Sequence, residues 1–472
     1  MEATPFAEKL NELAEELEVP GVSAGVLHEG EEHYAFAGVT SIENPLDVDE
    51  NTLFQFGSTG KTYTATAMLR LVERGDVELD APVRRYVPEL ELAEESVAEA
   101  VTVLQLFNHT AGWEGDLSDD TGAGDDALAQ YVAKMANIKQ VTPLGSTVSY
   151  NNASLSLAGR VIEKITGLTY EKAMAELVLE PLGLSQTWFF PNEVMTRRFA
   201  VGHNLKDGVV SVARPWAMPR GGNPAGGMSA TARDQLAWAR FHLGDGTADD
   251  GTRILSPETV ALMKVPTAHM AGSALGDAVG ISWLLGEKGG VPTVGHGGTT
   301  IGQHSEFVMA PERGFAVISM TNCGPNGRRL NDRLVDWAFE HFLGVVEAPP
   351  TVRRLTDEEL APYCGTYETI AVTVEVVPHE GLLRLDATVK PAMAAALRES
   401  GEEVPDSNPP FFLGLIEGKE DAYVIPEGIG EGMPGFFTRA ADGTVDGVHV
   451  GGRLATRVQA SGASSLASAL AP

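Results

Sequence analysis

Ser58 and Lys61 stand three positions apart in the run Phe56-Gly57-Ser58-Thr59-Gly60-Lys61-Thr62, and Met68, Leu69, Leu71 and Val72 follow at helical spacing before Gly75. That spacing predicts that Ser58 begins a helix. A hydroxyl there sits at the positive helix end, its own N–H is available to an oxyanion, and Lys61, one turn on, reaches its oxygen. A lysine kept partly neutral by burial can turn that oxygen into a nucleophile. Taken alone, the pair reads equally as an N-capping serine beside a surface lysine, because Ser-x-x-Lys arises by chance about once in a chain this long.

Two further groups offer companion chemistry. Ser149-Tyr150-Asn151-Asn152 follows the turn Pro143-Leu144-Gly145 and precedes a helical pattern with Leu155, Leu157, Val161, Ile162 and Ile165. The Tyr150 phenol can exchange a proton with Lys61 and pass one to a leaving group, while Asn152 can hold Lys61 and a substrate amide. A core tyrosine with an asparagine cap is the alternative. Gly295-His296-Gly297-Gly298-Thr299 lies on a strand pattern whose glycines, Gly297 and Gly298 among them, let a ligand approach the backbone. There the Thr299 N–H can supply a second oxyanion donor. A Gly-rich bulge with a solvated histidine is the alternative.

In this order the three groups resemble the penicillin-binding-protein and class C β-lactamase superfamily of serine hydrolases, especially its esterase and D-aminopeptidase-like members. The likeness covers residues 1–345. Similar secondary marks are Leu106-Phe107-Asn108-His109-Thr110-Ala111-Gly112, Pro224-Ala225-Gly226-Gly227-Met228-Ser229-Ala230-Thr231, and Thr321-Asn322 at a strand end. The resemblance implies an α/β fold, an antiparallel sheet flanked by helices plus an all-helical subdomain. It also implies a hydrolase with an acyl-Ser58 intermediate, with Lys61, Tyr150, Asn152 and His296 as catalytic residues. Where the β-lactamases carry Lys-Thr-Gly, this chain has His296-Gly297-Gly298, replacing a permanent cation with a group mostly neutral at pH 7. A grip on a β-lactam carboxylate is not expected from it. The acidic loop 113–126 and the segment 213–222 fall where the family builds its cleft walls, which makes Trp113 and Trp216 candidates to line an acyl pocket, solvated loop residues being the alternative.

The elements that must hold these residues are legible in outline. Thr4 and Pro5 predict a helix with Phe6, Leu10, Leu13 and Leu17 on one face; 21–27 and 33–37 predict a hairpin; 280–285, 293–298 and 305–322, the last interrupted by the turn Pro311-Glu312-Arg313-Gly314, read as strands, and Leu330, Leu334, Trp337, Ala338 and Phe342 as a closing helix. Strands from both ends of this region suggest one antiparallel sheet assembled from distant sequence and covered by helices. After Pro349-Pro350 the pattern changes to six short strands with hairpin turns, so a domain boundary is expected there, followed by a small all-β up-and-down barrel over 353–459 and a frayed tail over 460–472. The segment from Tyr363-Cys364-Gly365-Thr366-Tyr367 to Val450-Gly451-Gly452-Arg453-Leu454 resembles the lipocalin-like domain appended to many such hydrolases. The pairing of domains also resembles penicillin-binding-protein-type thioesterases that cyclise peptides. An acyltransferase or peptide cyclase is therefore the second expected function.

The chain has 472 residues, 43% of them apolar, enough for one large core and a smaller unit. Acidic residues outnumber basic ones 65 to 34, a formal charge of −31, which argues against nucleic acid or an anionic membrane surface as partner. The expected partner is a small-molecule ester, amide or peptidyl substrate. Cys323 and Cys364 match no metal-ligand spacing and give no disulfide framework, and neither a metal nor a cofactor is expected. Glu2, Glu8 and Glu12 stand where a secretory signal would carry a basic start and an apolar stretch, and there is no run of about 18 apolar residues. A cytoplasmic protein is expected.

Overall fold

The structure is a computed structural model that describes residues 4–117, 119–391, 393–395, 409–428 and 430–458. The tail expected over 460–472 lies outside the described residues. By packing, the chain separates into two units, Met1–His269 with Leu275–Ala348, and Met270–Ala274 with Pro349–Pro472.

The first unit is built on a sheet in the order Glu31–Gly38, Gly21–His28, Phe315–Thr321, His304–Ala310, Val291–Gly295, Leu284–Lys288 and Gly276–Val279, with the short strand Gly298–Thr299 paired beside His304–Ala310. The first hairpin thus pairs with a strand almost 300 positions later, Val22 opposite Thr321 and Val26 opposite Val317. All seven residues of Phe315–Thr321 are buried, because alternate side chains serve two cores. Phe315 and Val317 join Leu10, Leu13, Leu330 and Leu334 of the helices Pro5–Glu16 and Asn326–Leu343 on one face. Ala316, Ile318 and Met320 face the larger core on the other, with Trp238 and the helical layer.

Thr4 caps the first helix by accepting from the Ala7 N–H, with Pro5 at its first turn. Two strand expectations change: the strand expected over 293–298 breaks at 296–297, between Val291–Gly295 and Gly298–Thr299. Residues 280–283 form a turn, with the Gly280 N–H bonded to the Trp283 carbonyl and Ser282 at φ 60°, which delivers the fully buried Trp283 into the core from a bend.

The helical layer contains Gly60–Glu73, Ala127–Lys134 and Asn152–Thr166. Gly60–Glu73 is buried on nearly every side, its first ten residues all buried, so it runs through the interior as a fixed post. A small sheet, Phe54–Gln55 and Thr187–Trp188 on either side of Ser229–Ala230, ties the approach to that helix to the segment following Gly227.

In the second unit eight strands, from Gly365–Glu368 to Arg453–Arg457, close into an antiparallel barrel through the pairing of Tyr367 with Arg457. The six expected strands are all present, and Gly365–Glu368 and Arg453–Arg457 complete the closure that leaves no free edge. Tyr367, Val374, Val376, Leu383, Leu385, Leu413, Tyr423, Phe437 and Val448 form its core.

Candidate active site

Ser58 lies in the single 3-10 turn Gly57–Thr59 that leads into the helix Gly60–Glu73. Its side chain is half-buried, whereas Lys61 has no exposed surface. An ammonium without solvent must be paid for by partners. Lys61 Nζ donates to Ser58 Oγ at 2.9 Å and to the Ala225 carbonyl at 2.6 Å, and stands 4.8 Å from the centre of the Tyr150 ring. Tyr150 packs on the His109 imidazole at 4.5 Å and lies 6.0 Å from that of His296. Residues from distant stretches therefore gather around Lys61.

The loop bearing Tyr150 is held from behind. His109, at φ 60°, takes the Asn151 N–H on Nδ1 at 3.2 Å, and its carbonyl accepts from the Ser149 N–H at 2.9 Å. Asn151 caps the helix Asn152–Thr166 by accepting from the Ser154 N–H at 2.8 Å, and its amide donates to the Trp113 carbonyl at 2.8 Å. Gly115 is wedged against this loop, since a Cβ there would fall 2.3 Å from the Tyr150 carbonyl.

The strand Gly298–Thr299 presses on the serine turn. A Cβ on Gly298 would fall 2.0 Å from the Phe56 carbonyl and 2.8 Å from the Ser58 nitrogen, and one on Gly57 2.8 Å from the Thr299 nitrogen. Only glycines permit this approach, and the approach brings the Thr299 backbone against the Gly57-Ser58 turn. Thr59 Oγ1 donates to the His296 carbonyl at 2.8 Å and Ser305 Oγ to the Phe56 carbonyl at 2.7 Å, riveting strand to turn.

His296 is 2% exposed, and its Nδ1 bonds the Gly297 carbonyl at 2.6 Å. Burial, reinforced by the Lys61 charge, pushes its pKa down to about 3. The imidazole is therefore a neutral group, with no cationic share at neutral pH. Asn152, expected to hold Lys61, gives its amide to Asp116 Oδ1 at 2.7 Å instead. Trp113 is 1% exposed and belongs to the main core, so it presents no wall to a ligand. Trp216 is half-buried, its Nε1 donating to the Ala200 carbonyl at 3.0 Å and its ring edge-on to Phe199. Thr299 is exposed, with Oγ1 bonded to His304 Nδ1 at 3.1 Å.

Two contributors escape sequence reasoning. The Ala225 carbonyl is backbone and carries no signature of its own beyond its place in the Pro224-Ala225-Gly226-Gly227 run. Asp116 lies in the acidic loop, where nothing in the sequence separates it from its neighbours. Among the described residues, no cluster of three or more His, Cys, Asp or Glu is arranged to hold a metal ion, and no helix is long and apolar enough to cross a membrane.

The family model "Beta-lactamase" matches residues 6–339, which makes the protein a serine hydrolase of that family. The chain belongs to the beta-lactamase family. It is 36% identical over 371 residues to "Penicillin-binding protein 4" of Amycolatopsis lactamdurans, covering 77% of this chain and 97% of that one. Among solved structures it is similar to SurE (TM-score 0.72, 24% identity, 96% of this chain and 98% of that one). It is also similar to the octameric penicillin-binding protein homologue from Pyrococcus abyssi (TM-score 0.64, 22% identity, 94% and 97%). The class C β-lactamase of Rhodobacter sphaeroides matches with TM-score 0.59 at 23% identity, over 72% of this chain and 99% of that one.

Proposed function

We propose that the protein hydrolyses small neutral ester, amide or peptidyl bonds through an acyl-Ser58 intermediate. The observation that carries this reading is the 2.9 Å bond between a fully buried Lys61 and a half-exposed Ser58. Ser58 Oγ attacks the carbonyl carbon while its proton passes to the Lys61–Tyr150 pair. The Ser58 and Thr299 N–H groups receive the oxyanion. On collapse, Tyr150 returns the proton to the leaving oxygen or nitrogen, the acyl group stays on Ser58, and water attacks the ester by the same path in reverse. The neutral His296 supports a substrate without a carboxylate at that strand, so β-lactams are expected to acylate and turn over slowly.

A second reading is acyl transfer, in which an amine in place of water takes the acyl group. Its support is the likeness, over 96% of this chain at 25% identity and TM-score 0.71, to a structure titled "Crystal structure of SurE with D-Leu". Short-chain p-nitrophenyl esters, a D-amino-acid amide, a cephalosporin and a peptidyl thioester, assayed side by side, separate the two readings by product. Ser58→Ala is expected to lower turnover by about 10⁴-fold or more and to abolish covalent labelling by a fluorophosphonate, with the fold retained. Label retained on the alanine variant and mapped elsewhere by mass spectrometry overturns the assignment.

A further inference from the structure

Lys61 is held by a carbonyl, and the position of that carbonyl has its own cause. Ala225 follows the turn 220–223, both ends of which are bound by one carboxylate. Glu171 accepts from Arg220 Nε at 3.0 Å and Nη2 at 2.9 Å, and from Asn223 Nδ2 at 2.7 Å. The pair is well inside the protein, with side-chain exposures of 13% for Arg220 and 8% for Glu171. The remaining Arg220 nitrogen, Nη1, donates to the Ala123 carbonyl at 2.8 Å and to Asp125 at 3.0 Å, on the loop 113–126 that also carries Asp116, the partner of Asn152. The guanidinium lies 5.1 Å from the centre of the Phe190 ring.

A buried ion pair is a poor source of stability, because desolvation offsets most of its attraction. What it supplies is geometry: a planar fork read by one carboxylate has a single arrangement. Beyond the turn, Thr64 Oγ1 donates to the Pro224 carbonyl at 2.8 Å, and Gly226 is packed so closely that a Cβ would fall 3.0 Å from the Ser58 nitrogen. The segment 220–226 is thus stretched between the Glu171 clamp and the serine turn, with the Lys61 acceptor in its middle.

We infer that Arg220, clamped by Glu171, is a positioning residue for proton transfer: it sets the Ala225 carbonyl that orients Lys61 towards Ser58, and fixes the loop that presents Asp116 to Asn152. This rests on the reading of Lys61 as proton carrier. Misplacement by about 1 Å costs on the order of 100-fold in rate, so the effect belongs in kcat and leaves KM alone.

The test measures three things in Arg220→Ala, Arg220→Lys, Glu171→Gln and the double variant Arg220→Ala/Glu171→Gln: fluorophosphonate labelling rate, kcat and KM on p-nitrophenyl butyrate, and unfolding midpoint. Arg84→Ala is the control, since Arg84 forks onto Glu95, with Nη2 to Oε2 at 2.8 Å, away from the site. Expected are labelling and kcat lowered about 10- to 100-fold in Arg220→Ala, KM within about twofold, partial recovery in Arg220→Lys, and no further loss in the double variant. Glu171→Gln keeps the shape of the clamp and carries the test should Arg220→Ala fold poorly. Wild-type labelling rates in these variants, a loss confined to KM, or a loss matched by Arg84→Ala at equal unfolding midpoint overturns the inference. Label surviving in Ser58→Ala overturns the proposed function instead.

Discussion

At the scale of single residues, His296 shows how an environment rewrites a side chain. An unfolded histidine titrates near 6.5, whereas burial and the neighbouring Lys61 charge hold His296 to about 3. Between those values the unfolded chain binds the extra proton, so the stability contributed by neutral His296 is complete above pH 6.5 and is lost as pH falls towards 3. The loss amounts to on the order of 5 kcal/mol at the acid end. His304, lowered to about 4 first by burial, adds to it with the same sign. Chemical denaturation of wild type and His296→Gln between pH 7.5 and 4 checks this: the gap in unfolding free energy is expected to narrow as pH falls, and a constant gap refutes it. For the same reason, His296 leaves no inflection near pH 6.5 in the acylation profile.

At the scale of elements, the site is an arrangement of helix and strand ends. Ser58 opens one helix, Asn151 caps another, and the strand Gly298–Thr299 lies against the first. Asn151 is 1% exposed and binds both the Ser154 N–H and the Trp113 carbonyl, so its replacement removes a cap and leaves a buried carbonyl unpaired. Asn151→Ala is expected to cost about 2 to 3 kcal/mol, read from the denaturation midpoint. It should also slow labelling of Ser58, because Tyr150 directly precedes the cap. An unchanged midpoint would show that the cap is dispensable. The closing helix and the first hairpin were legible from apolar spacing, and Thr4 with Pro5 marked the first helix to the residue. The segment 280–283 was not, because a turn that buries Ile281 and Trp283 has the apolar density of a strand.

At the scale of the whole molecule, the chain carries a formal charge of −31. Screening extends about 10 Å at 0.1 M salt, so repulsion of an anionic substrate is expected to weaken as ionic strength rises. Raising salt from about 10 to 500 mM should increase kcat/KM for a cephalosporin by up to about tenfold and leave p-nitrophenyl butyrate nearly unchanged. Equal salt responses for the two substrates would remove the charge from the account of specificity.

By itself the sequence determined the candidate groups and most of the classes of element that carry them, because those depend on local spacing: Ser58 and Lys61 one helical turn apart, Tyr150 at a helix entrance, and alternating patterns for the sheet and the barrel; the strand expected at His296 breaks at 296–297. Tertiary structure alone decided what those groups meet. The Ala225 carbonyl on Lys61, Asp116 on Asn152, the removal of Trp113 into the core and the neutrality of His296 all arise between segments tens to hundreds of positions apart. Burial and charge proximity are properties of the packed interior, and no local pattern encodes them.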